Sequence, residues 1–65
     1  MPRHGERVLR FDKVRDTRNG VCYEVTYITD LERESYYLTQ AEPPHRIRVV
    51  GIEELHEHFE KVRAC

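Results

Sequence analysis

The sequence predicts an α+β domain: a curled, small-barrel-like antiparallel sheet of three to four strands, with one C-terminal helix packed on it. Three observations predict it. Asn19-Gly20 lies between two segments of strand-like composition, His45–Val50 alternates, and Ile52, Leu55, Phe59 and Val62 recur at helical spacing. The 65 residues suffice for one domain, 1–65, and no more. A chain of this size buries only about 60% of the surface its unfolded form exposes, so the core must be one apolar layer between sheet and helix.

The first two strands meet at Asn19-Gly20. Both residues tolerate positive φ, as a two-residue type I′ turn requires. That turn sets Arg18 opposite Val21, Arg15 opposite Glu24, Val14 opposite Val25 and Phe11 opposite Ile28. A one-residue slip would lose the Arg15–Glu24 pair, so side-chain pairing favours this register. Val14, Val21, Tyr23, Val25 and Tyr27 then face inward, and Lys13, Arg15, Thr17, Glu24 and Thr26 face water. At the open end Leu9, Phe11 and Ile28 fall on the polar face. Three arrangements resolve that conflict: a bulge that re-aims the strand, a sheet curled enough to bury both faces, or a partner covering the patch.

After a turn near Asp30-Leu31-Glu32, Arg33–Thr39 is rich in β-formers and forms the third strand. Pro43 and Pro44 end it, because proline cannot donate to a ladder. His45–Val50 is the short fourth strand, with Ile47 and Val49 alternating against Arg46 and Arg48. The helix follows Gly51, with Glu53 and Glu54 in its first turn and Lys61 and Arg63 in its last, matching the helix dipole. Its apolar stripe runs from Ile52 to Val62, and Glu57–Lys61 adds an (i, i+4) pair. This order of elements, with the Asn19-Gly20 hairpin, resembles the plan of chromodomain-type and related small barrel-like modules. The resemblance implies a fold plan and no activity. The chain has no tryptophan with which to build a methyl-lysine cage.

Charge is divided unevenly along the chain. Residues 1–20 hold six basic side chains against three acids, and residues 21–65 hold five against nine, for a formal net charge of −1. A dipolar surface of this kind orients an approaching partner. It lacks the strongly basic balance of a nonspecific nucleic-acid binder. No apolar run approaches the roughly 18 residues that span a bilayer, and the polar start lacks a secretory core, so the expectation is a cytoplasmic protein without membrane contact. Cys22 and Cys65 are expected as free thiols, since small disulfide scaffolds usually carry more cysteines.

Chemistry-bearing clusters are few. His56 and His58 stand two positions apart, about 200° around a helix, where a zinc pair needs (i, i+3) or (i, i+4) spacing. Ser35 is the only serine and no base motif accompanies it, and the three glycines form no phosphate loop. The chain is therefore expected to be neither an enzyme nor a holder of metal or cofactor. A small regulatory or adaptor protein, docking on a larger protein or on itself, is the leading expectation. Its docking residues would be Leu9, Phe11 and Ile28 with Tyr27, Tyr36 and Tyr37, since tyrosine is enriched at interface hot spots. That surface rests on the register that sets Val14 across from Val25. The alternative is a nucleic-acid module using Arg10, Lys13, Arg15 and Arg18, extended by Arg46 and Arg48.

Overall fold

The Asn19-Gly20 hairpin forms, with a longer loop than its dipeptide predicts. The computed structural model describes residues 8–30 and 34–65. Strand β1 (Lys13–Asp16) is joined to β2 (Cys22–Asp30) so that Val14 lies opposite Tyr23, Lys13 opposite Glu24 and Arg15 opposite Cys22. Val14 does not face Val25, which corrects the expected register by two residues. The cause lies in Thr17 and Arg18. The Thr17 N–H and hydroxyl both donate to the His58 carbonyl, at 2.7 and 2.9 Å. The Arg18 N–H donates to Asp16 Oδ1 at 2.8 Å. With both residues held elsewhere, the loop opens over Thr17–Gly20 and closes through Gly20 N–H to the Asp16 carbonyl, 2.7 Å. Gly20 takes φ +77°, the left-handed conformation that favours glycine. A two-residue shift preserves side-chain parity, so Val14, Tyr23 and Val25 still face the core.

Strands β3 (Glu34–Gln40), β4 (Ile47–Gly51) and β5 (Phe59–Val62) complete a five-stranded antiparallel sheet in the order β4-β3-β2-β1-β5. The sheet curls into a half-barrel around α1 (Ile52–His58). The three to four strands expected thus become five. The turn expected near Asp30-Leu31-Glu32, and Arg33 at the start of the third strand, lie outside the described residues.

The fifth strand is the larger correction. The helix ends at His58 rather than running to Val62, and Phe59 is already extended at φ −124° and ψ 147°. Phe59 and Glu60 pair with Asp16 and Arg15, and Lys61 and Val62 with Val14 and Lys13. Arg15 Nε donates to Glu60 Oε2 at 3.0 Å, and Lys61 reaches Asp12 at 3.4 Å in place of the expected Glu57. A helical stripe and a strand both point Phe59 inward. The open edge of β1 decides between them, because pairing satisfies its backbone groups. The last element is therefore a strand, where the expectation was a helix.

A bulge between Val25 and Tyr27 settles the conflict at the open end of the hairpin. Thr26 is the extra residue, and its hydroxyl turns to Thr39 Oγ1 at 3.2 Å. Ile28 is thereby turned inward opposite Tyr36, and Tyr27 outward opposite Tyr37. The core gathers Val8, Val14, Tyr23, Val25, Tyr36, Leu38, Val50, Leu55 and Phe59, with Ile28 and Ile52 against it. Each fully buried aliphatic side chain here contributes about 1.5–3 kcal/mol relative to exposure. Cys22 and Cys65 are bonded as a disulfide with Cα atoms 5.9 Å apart, which corrects the expected free thiols. The bond ties the chain end to β2.

Candidate interaction surface

Two features of the sheet follow from a single inversion in β4. Arg48 and Val50 face the core, and Ile47 and Val49 face outward, 68% and 53% exposed. An amphipathic strand of this composition ordinarily turns its apolar residues in. The counter-force is Asp16, whose side chain is fully buried on the inner face of β1. Arg48 Nη1 donates to Asp16 Oδ2 at 3.1 Å, and Arg48 Nη2 to Glu54 Oε2 at 2.7 Å. Arg18 adds two donors, Nε to Oδ1 at 3.1 Å and Nη2 to Oδ2 at 3.0 Å. The Arg48 guanidinium also lies 5.5 Å from the centroid of the Phe59 ring. An unpaired buried carboxylate would be very costly, and the two guanidiniums offset that cost. Hydrogen bonding from Arg18, against the opposing effect of burial, holds the Asp16 carboxyl down at about 2.

The outward consequence is an apolar band. Tyr27, Tyr37 and Val49 are register partners across β2, β3 and β4, and Ile47 stands two residues from Val49 on the same face. The Tyr27 and Tyr37 rings meet edge to face at 5.8 Å between centroids. Beside the bulge, Arg10 Nε donates to the Thr26 carbonyl at 3.0 Å while its guanidinium lies 4.8 Å from the Phe11 ring centroid. Phe11 occupies the third position of a Leu9–Asp12 turn closed by Asp12 N–H to the Leu9 carbonyl, 3.0 Å. Its φ of +76° is a conformation bulky residues rarely take. The ring is 60% exposed, and Leu9 is exposed beside it.

β4 is also an edge strand. Gln40 N–H donates to the Arg46 carbonyl at 2.8 Å, so Arg46, Arg48 and Val50 direct their backbone groups to β3. By alternation the backbone groups of Ile47 and Val49 point away from the sheet. No described strand pairs with that edge. The opposite edge, β5, carries Glu60 and Lys61, charges of the kind that protect edges.

The expected docking residues therefore separate. Leu9, Phe11, Tyr27 and Tyr37 are exposed, while Tyr36 is buried and Ile28 is packed against the core. With Val14 across from Tyr23, the register that grouped them is gone; the surface present instead adds Ile47 and Val49. The expected nucleic-acid residues divide as well. Lys13 pairs with Glu24 at 3.5 Å, Arg15 with Glu60, and Arg18 and Arg48 with Asp16. Arg10 is engaged at the bulge and Arg46 is exposed. The Asp16 cluster escaped the sequence reading, although a signal existed. Val14 and Asp16 share parity, so an inward Val14 implies an inward Asp16, and a buried aspartate calls for a cation.

An open hollow of about 500 Å³ lies beneath the disulfide, lined by Arg15, Gln40, Glu42 and Cys65 among others. Its Arg15 is paired with Glu60 and its Cys65 is bonded to Cys22. Among the described residues, no helix is long and apolar enough to cross a membrane. Comparison with known proteins gives no matching family model, no similar curated protein and no similar solved structure.

Proposed function

We propose that this is a non-catalytic regulatory or adaptor module that binds a protein partner, or a second copy of itself, through the outer face of β2, β3 and β4. The observation that carries the reading is the inverted edge strand. Ile47 and Val49 place apolar side chains in water on a strand whose outer backbone groups lack a strand partner among the described residues. Exposed apolar edges invite aggregation, and covering by another chain removes the liability. Tyr27 and Tyr37 beside them supply the amphipathic aromatic area typical of interface centres.

Site-specific photo-crosslinking in the native host tests this. A benzophenone amino acid at Tyr37 should give discrete protein adducts, and the same probe at exposed Glu57 on α1 should not. Equal labelling at both positions, or no discrete adduct at Tyr37, refutes the reading. The nucleic-acid alternative would appear as adducts sensitive to nuclease and as binding that falls steeply with salt.

A further inference from the structure

We infer that the occupant of the β4 edge is a second copy of this chain, pairing β4 against β4 about a two-fold axis at Val49. The inference rests on the reading above that this edge strand belongs to an interface. It deepens that reading by naming the partner.

Three properties of the edge make it self-complementary. The outward backbone groups belong to Ile47 and Val49, with Gly51 adding its N–H because its carbonyl begins the helix, so antiparallel pairing about Val49 sets Val49 against its copy and Ile47 against Gly51 of the second copy. A Cβ added at Gly51 would meet nothing within 4 Å, so there is room over this glycine for the large Ile47 side chain. Charge agrees as well. Exposed Arg46 precedes the strand and exposed Glu53 follows it, so antiparallel pairing brings each Arg46 toward the Glu53 of the other copy.

Like charges oppose the registers displaced toward the start of β4. An axis at Arg48 sets Arg48 against Arg48, and an axis at Ile47 sets Arg46 against Arg48. With the axis at Val49, the row of Tyr27, Tyr37 and Val49 continues into its own copy, and the two half-barrels share one ten-stranded sheet.

Sedimentation equilibrium over a concentration series, without reductant and with the disulfide left intact, tests the inference. The expected result is a reversible monomer–dimer equilibrium that Val49→Lys weakens about tenfold or more. Arg46→Glu and Glu53→Arg should each weaken it, and the double exchange should restore it. Both residues are exposed, so folding is not at stake. A monomer at every concentration, or a dimer indifferent to Val49→Lys, overturns the inference; a dimer in which the double exchange fails to rescue overturns the register. If Tyr37 adducts persist in a protein that never dimerises, the interface stands with a different partner and only the second copy is lost.

Discussion

Arg48 and Asp16, 32 positions apart, meet at 3.1 Å, and that contact turns β4 inside out. The arginine must enter the inner face to reach the buried carboxylate, and strand alternation then sends Ile47 and Val49 to the surface. One ion pair thus links the hairpin loop, the edge strand and, through Glu54, the helix. Stability and surface character have a common origin here.

Acid should dissolve this link. The Asp16 carboxyl is lowered from 3.8 to about 2 in the folded state, so its contribution is complete above about pH 4 and is lost as pH falls toward 2. A shift of that size is worth on the order of 2 kcal/mol. Urea titrations between pH 5 and pH 2 should show this loss. Asp16→Asn should flatten that part of the profile and cost about 2 kcal/mol at neutral pH, because Arg18 and Arg48 lose the carboxylate they share. An unchanged acid slope in Asp16→Asn would assign the loss to other carboxylates.

Removal of the disulfide should loosen the sheet from its C-terminal end. Cys22 and Cys65 are separated by 43 residues. Closing a loop of that length restricts the unfolded chain by up to about 4 kcal/mol. Cys65→Ser is expected to lower stability by about 2–4 kcal/mol, with amide exchange rising first in Phe59–Val62. Thermal unfolding with and without reductant measures the same quantity. Equal midpoints would show that the bond contributes nothing to the fold.

Phe11 should be expendable for folding. A bulky residue at φ +76° carries about 1–2 kcal/mol of backbone strain, which glycine avoids. Its exposed ring contributes little to the core. Phe11→Gly is therefore expected to stay within about 1 kcal/mol of the parent stability, as urea titration would measure. A loss of 3 kcal/mol or more would mean that the ring holds the fold.

Much of the inner face was legible from alternation alone. Val14, Tyr23 and Val25 point inward in either register, because a shift of two preserves parity. The helix start at Ile52 and the strands on either side of the prolines also follow from local pattern. The site was less legible. Leu9, Phe11, Tyr27 and Tyr37 are exposed, while the bulge at Thr26 moved Ile28 inward and paired it with Tyr36.

What the sequence by itself determined is the α+β composition, the hairpin, and the set of side chains able to build a core. Each depends on neighbours within a few positions, where propensity and parity act. The tertiary structure decided the loop length at Asn19-Gly20, the conversion of Phe59–Val62 to a strand, the Cys22–Cys65 bond and the inversion of β4. All four depend on partners far away in the chain: His58 for Thr17, the β1 edge for Phe59, Cys22 for Cys65 and Asp16 for Arg48. Local pattern cannot choose among such partners, because only the folded sheet brings them within bonding distance.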